Sequence, residues 1–210
     1  MNNNKLAIGV FGANGRMGRA LIEAVDGDCN SSLSAAFVRQ DSELTGIDAG
    51  TLIGHAANGV CLSTPTTDYD ECNTQVFIDF TLPDALVDNL NWCRAQRKAM
   101  VIGTTGLNAE QLALIDDAAK DIPIVFAPNY SVGINLMLNL LKTCADVVGN
   151  NSDIEIIEGH HRFKQDAPSG TALKLGQVIA DQLGRDLSKC AIYGREGIEP
   201  QRSAETIGFS

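Results

Sequence analysis

Positive charge, paired cysteines, internal repeats and a long apolar run near the amino terminus are what this 210-residue sequence lacks. Sixteen Lys and Arg stand against 26 Asp and Glu, a formal net charge of −10 at pH 7. A surface of that sign repels phosphate backbones and anionic lipid over most of its area, so neither a nucleic-acid nor a membrane partner is expected. The six cysteines, Cys29, Cys61, Cys72, Cys93, Cys144 and Cys190, form no CxxC pair. Neither a zinc site nor a disulfide framework is therefore expected, no metal is assigned, and reduced thiols in a cytoplasm are the simplest reading. The polar residues 1–5 and the short apolar run after them resemble neither an export signal nor a membrane span. No repeat or low-complexity tract points to a solenoid or a linker.

What is present is ordinary globular usage, 44% hydrophobic and 20% charged, in a chain long enough for one large domain or two smaller ones. KLAIGVF reads as a buried strand, GANGRMG as a turn, RALIEAV as the start of an amphipathic helix and LSAAFV, residues 33–38, as a second strand. This is a βαβ unit with a right-handed crossover. The runs VFIDFT (76–81), AMVIGTTG (99–106) and IPIVFAPN (122–129) read as further parallel strands. Helical spacing separates them, with Pro83 in a first turn and Asn108 as an N-cap. Residues 43–75 are weakly patterned and predict a loop-rich crossover with a hint of strand at 60–62. The prediction is a doubly wound, Rossmann-like α/β sheet over residues 1–130 that binds a dinucleotide. A long apolar helix capped by Ser131 then opens a second, α+β domain over residues 131–210, expected to bind substrate and to mediate oligomerisation.

Two constellations carry chemistry. In the first, Gly12, Gly15 and Gly18 enclose Ala13, Asn14, Arg16 and Met17 between a strand and a helix. Glycine there allows a tight turn, close approach of a pyrophosphate and packing of helix on sheet, while the helix N-terminus offers N–H groups to the anion. Asn14 stands where the commoner motif has its middle glycine, and Asn tolerates the left-handed conformation. The position that often carries an acid for the ribose hydroxyls is Val38, followed by Arg39. Arg39 suits a 2′-phosphate, so NADPH is the expected cofactor with NADH second; the plainer reading of Arg39 is a solvated strand end. Gly103, Thr104 and Thr105, and Ala127, Pro128, Asn129 and Tyr130, follow strands at the carboxyl edge, where open α/β sheets bind ligands.

The second constellation is EGHHRFKQDAPSGTA, residues 158–172. On an extended segment His160, Arg162 and Lys164 would face one way and His161 the other. Ser169, Gly170 and Thr171 start a helix whose N-terminus would receive a carboxylate. Cations beside such a terminus suit a dicarboxylate. Adjacent histidines with no third ligand downstream make poor metal spacing, and surface histidines without a role remain the plain alternative.

In this order GANGRMG, FIDFT, VIGTTG, IEIIEGHHRFKQDAPSGTA, YGREG (193–197) and TIGF (206–209) resemble the 4-hydroxy-tetrahydrodipicolinate reductase family, also called dihydrodipicolinate reductase, over nearly the whole chain. The resemblance implies an NAD(P)H-dependent oxidoreductase of diaminopimelate and lysine biosynthesis that reduces a cyclic dicarboxylate. It implies His160 as acid/base residue, Lys164 as proton donor and substrate contact, and His161, Gly170 and Thr171 as substrate contacts. It also implies a homotetramer in the full-length protein. Members of the family continue beyond TIGF, so the expectation is a chain shortened at its carboxyl end. Members often have an acid where this sequence has Val38, which favours NADPH. A semialdehyde reductase and a non-catalytic nucleotide-binding module are the rival readings.

Overall fold

The computed structural model describes residues 5–66, 73–162, 164, 167–198 and 201–210. Cys72 lies outside them. The chain divides into two compact units, Met1–Tyr130 and Ser131–Ser210.

The first unit is built around strands whose successive residues largely alternate between two cores. It contains β1 (Leu6–Phe11), α1 (Arg16–Gly27), β2 (Ser31–Phe37), α2 (Ala49–Leu52), β3 (Leu62–Ser63), β4 (Val76–Asp79), α3 (Pro83–Ala95), β5 (Ala99–Ile102), α4 (Ala109–Ala118) and β6 (Ile124–Phe126). The sheet order is β3-β2-β1-β4-β5-β6, and every pairing is parallel. Successive side chains of a strand point to opposite faces, so Ile8 and Val10 enter one core while Phe11 enters the other. The first core also takes Ile22 and Val25 from α1, and the second takes Leu86 and Leu90 from α3 and Ile115 from α4. Both faces are covered, as a parallel sheet requires.

Local signals set the element ends. Pro83 sits in the first turn of α3, and Asn108 caps α4 in a reciprocal box with Gln111. The weakly patterned crossover is organised by one side chain. Asp48 accepts from the amides of Gly50, Thr51, Asn58 and Gly59, which folds residues 48–59 into a compact loop ahead of the two-residue edge strand β3. That strand begins at Leu62, where the sequence hinted at residues 60–62.

The second unit holds α5 (Val132–Val148), a 3-10 turn at Gly149–Asn151, β7 (Ile154–Ile156), α6 (Gly170–Gln182), α7 (Leu187–Cys190), β8 (Ala191–Tyr193) and β9 (Ile207–Phe209). Its parallel sheet runs β7-β9-β8. Ile156, Ile207 and Phe209 from the sheet pack with Ala145 of α5 and Ala172, Ile179 and Ala180 of α6. Val132–Asn151 is long and apolar enough, by length and composition alone, to cross a membrane. Ser131 and Ser169 cap α5 and α6 through their hydroxyls.

Phe77 is fully buried, with ring centroids 5.0 Å from Phe11, 5.4 Å from Phe37 and 5.1 Å from Trp92. Phe77→Ala is expected to lower the unfolding free energy by about 3–5 kcal/mol, read from urea titration, because three rings lose their common neighbour.

Candidate active site

The glycine turn in the first unit is shaped by lack of room. Gly12 has φ +65°, a conformation that disfavours any side chain. A Cβ on Gly18 would lie 2.1 Å from the carbonyl oxygen of Gly12, so α1 can start this close to β1 only with glycine there. Gly15 is the N-cap of α1 and has no side chain to bond the first-turn amides, which suits an incoming pyrophosphate. Asn14 is half-buried, and Gly15, Arg16 and Met17 are exposed around this terminus. Ala13 is buried, and its amide donates to the carbonyl of Phe37 at 2.9 Å, tying the turn to the end of β2. The turn thus fits a dinucleotide.

At the end of β2 the two neighbouring residues part ways. Val38 is only 3% exposed and packs into the core with Ile22 and Ala36, so its side chain faces away from solvent and from any ribose there. Arg39 is exposed, and its Nε lies 3.1 Å from Asp41 Oδ1.

The residues predicted along the carboxyl edge are mixed in the same way. Thr104 is 1% exposed and donates its hydroxyl to Asp79, so only its backbone is on offer, whereas Thr105 is exposed. Gly103 is buried against the ring of Phe80. Beyond β6, the Ala127 amide donates to Ile102, Pro128 is exposed and Asn129 is half-buried. The Tyr130 hydroxyl lies 3.0 Å from the carbonyls of both Ile102 and Val125, and burial pushes this phenol up, which keeps it a donor.

In the second unit, β7 ends at Ile156, so His160, His161 and Arg162 lie beyond the strand. The predicted period-two alternation therefore does not govern them. A turn in which the Lys164 amide donates to the His161 carbonyl follows instead, and His160, His161, Arg162 and Lys164 all line one cavity of about 480 Å³. Pro168, Tyr193 and the Ser210 end of β9 complete its wall.

Among the described residues Glu158 is the one acid in that lining. It accepts from the Ser169 amide at 2.6 Å and from the Ser169 hydroxyl, and its Oε2 lies 3.7 Å from His160 Nδ1. The Ser169 hydroxyl above all, then the Ser169 amide, hold this carboxyl below the usual glutamate range against a smaller opposing effect of burial; His160 and Lys164 add to the lowering. Ser169 is 4% exposed and engaged with Glu158 and Ala172, so it is a poor ligand donor itself. Gly170 is exposed and Thr171 half-buried in the same first turn of α6, and among the described residues no side chain bonds their amides. Among the described residues no cluster of His, Cys, Asp or Glu could hold a metal ion.

Sequence reasoning passed over Glu158 and Asp79. Each had a signal: an acid two residues ahead of a run of bases, and an acid inside the apolar strand FIDFT.

Comparison with known proteins gives these features a common source. The family model "Dihydrodipicolinate reductase, N-terminus" matches residues 6–130, and "Dihydrodipicolinate reductase, C-terminus" matches residues 133–210. A 4-hydroxy-tetrahydrodipicolinate reductase of Pseudoalteromonas atlantica is 56% identical over 207 residues, covering 99% of this chain and 76% of the relative. One of Hahella chejuensis is 50% identical over 206 residues, covering 96% of this chain and 75% of the relative. Among solved structures, the dipicolinate-bound dihydrodipicolinate reductase of Paenisporosarcina sp. TG-14 superposes with a TM-score of 0.71 at 26% identity, covering 98% of this chain and 77% of that one. With both halves matched by sequence and fold, this chain belongs to the dihydrodipicolinate reductase family.

Proposed function

We propose that this chain is a cytoplasmic NAD(P)H-dependent reductase that converts 4-hydroxy-tetrahydrodipicolinate to tetrahydrodipicolinate in diaminopimelate and lysine biosynthesis. The observation that carries the reading is the cavity joining four basic side chains to the first turn of α6. The reaction takes up a hydride and a proton and releases water. A reduced nicotinamide, when bound, supplies the hydride.

The protein's share is binding, orientation and the proton. The amides of the turn at residues 12–18 receive the pyrophosphate, and Arg16 adds a cation beside it. Arg39 receives the 2′-phosphate of NADPH in exchange for Asp41, a surface ion pair that is easily traded because both partners are solvated. With Val38 buried, no acid at that position favours NADH over NADPH. The backbone of residues 103–105 and 127–130 borders the nicotinamide. In the second unit the amides of Gly170 and Thr171, with His161, hold the carboxylates of the substrate. Ser169 supports this terminus as its cap. His160 and Lys164 supply the proton that must accompany hydride density and steer the anion inward. Hydride transfer requires reacting atoms within about 3–3.5 Å, so the two bound ligands must meet in the reacting complex. The full-length protein is proposed to be a homotetramer.

The direct test follows loss of nicotinamide absorbance with substrate generated in situ by the preceding pathway enzyme. His160→Ala and Lys164→Ala are expected to lower kcat by about 100-fold or more while changing the cofactor KM less than about threefold. Arg39→Ala is expected to raise the KM for NADPH more than that for NADH. Cofactor binding without any oxidation on adding substrate would instead identify a non-catalytic nucleotide-binding module.

A second expectation concerns Glu158. Its depressed carboxyl gives a stability contribution that is present above the ordinary glutamate pKa and is lost as pH falls through the folded-state value. Ser169→Ala removes a helix cap, at a cost of about 1 kcal/mol, together with the main partner of that carboxylate. Urea titrations should show the gap between wild type and Ser169→Ala narrowing as pH falls below the ordinary glutamate pKa of about 4.3, because the unfolded chain takes up its proton there before the folded wild-type carboxyl does.

A further inference from the structure

Asp79 ends β4 and has no exposure at all, yet nothing in the proposed chemistry uses it. A carboxylate out of water is tolerated only when donors satisfy it, and here there are four. Oδ1 accepts from the Thr81 amide at 2.8 Å, the Thr81 hydroxyl at 2.7 Å and the Thr104 hydroxyl at 2.9 Å. Oδ2 accepts from the Asn89 side chain of α3 at 2.7 Å. The Asp79 backbone carbonyl also accepts from Gly103 at 2.8 Å.

These partners belong to turns that are distant in sequence and adjacent in space. Thr81 leads from β4 into α3, and Thr104 leads from β5 toward α4. The Thr81 methyl rests on the glycine turn, where a Cβ on Gly12 would come within 2.9 Å of it. The intervening Phe80 covers Gly103, whose Cβ would come 2.2 Å from that ring, and packs against Tyr130 with centroids 5.7 Å apart. One buried carboxylate thus connects the turn after β1, the turn after β4 and the turn after β5.

We infer that Asp79 is a positioning residue which, through Thr81 and Thr104, holds the three nucleotide-side turns of the first unit in register. This rests on the reading of that unit as the dinucleotide site. The bond count explains the residue type. A carboxylate offers about four acceptor positions, enough for all four donors. Losing it would leave two threonine hydroxyls, the Thr81 amide and the Asn89 side chain competing for other acceptors, and the turns would drift relative to one another. Nucleotide binding would weaken while proton delivery from the second unit would not.

The test combines equilibrium NADPH binding, steady-state kinetics and amide hydrogen exchange in the protein without ligand. Asp79→Ala is expected to weaken NADPH binding about tenfold or more, with kcat at saturating cofactor within about threefold of wild type. Exchange should rise at residues 12–18, 81–83 and 103–106 together. Asp79→Asn should recover NADPH affinity to within about threefold, because its oxygen keeps the threonine bonds and a flip of the Asn89 amide restores the fourth. If Asp79→Ala does not fold, Thr81→Val, which removes one hydroxyl bonded to Asp79 at nearly constant volume, carries the same expectation of a raised NADPH KM at unchanged kcat. NADPH binding within twofold of wild type and unchanged exchange in the three turns would overturn the proposal, as would an Asp79→Asn protein as weak as Asp79→Ala. Should the wild-type chain bind no NADPH, the nucleotide reading fails, and the exchange comparison still decides whether Asp79 holds the turns.

Discussion

Helix α1 begins so close to the end of β1 that a methyl group on Gly18 would collide with the Gly12 carbonyl and the Ala13 backbone. The rest of the nucleotide side depends on that contact. Closeness of helix and strand leaves the first-turn amides at the carboxyl edge of the sheet with no side chain over them, because the cap residue is Gly15. The parallel order then brings the turns after β4 and β5 alongside, since β1 pairs with β4 and β4 with β5. A site for an anion arises from backbone geometry in a chain whose net charge of −10 would otherwise repel it.

The second unit meets the same electrostatic problem differently. Four basic side chains, His160, His161, Arg162 and Lys164, line its cavity just after β7, and among the described lining residues one acid, Glu158, stands beside them. Glu158 binds the cap of α6 while lying within ion-pair reach of His160, so one side chain orders both the basic turn and the helix terminus. Asp79, itself fully buried, plays a parallel part in the first unit. In both units a carboxylate that touches no ligand in the proposed chemistry arranges the groups that do.

Much of this was legible in the sequence because the strands are short apolar runs closed by Gly, Thr, Pro or Asn, and because the caps at Asn108, Ser131 and Ser169 are strong local signals. Legibility failed where tertiary bonds override local pattern. The crossover at residues 43–66 depends on Asp48 collecting amides up to eleven residues away, which no periodicity reports. His161 reads as facing away only if β7 continues through it, and the strand stops at Ile156. Val38 and Thr104 sit at ligand-like positions in the sequence, yet their side chains point into the interior. Burial of a single side chain at a strand end depends on neighbours from other strands, and the sequence does not print them.

In the proposed reaction the hydride comes from the reduced nicotinamide and the proton from the basic turn. Mass spectrometry of the product formed with NADPH carrying two deuterons at C4 tests it most directly, in ordinary water. Tetrahydrodipicolinate heavier by one deuteron is expected, because the hydride comes from the cofactor and the proton from an exchangeable side chain. Product formed at the same rate with no deuterium in the ring would contradict it.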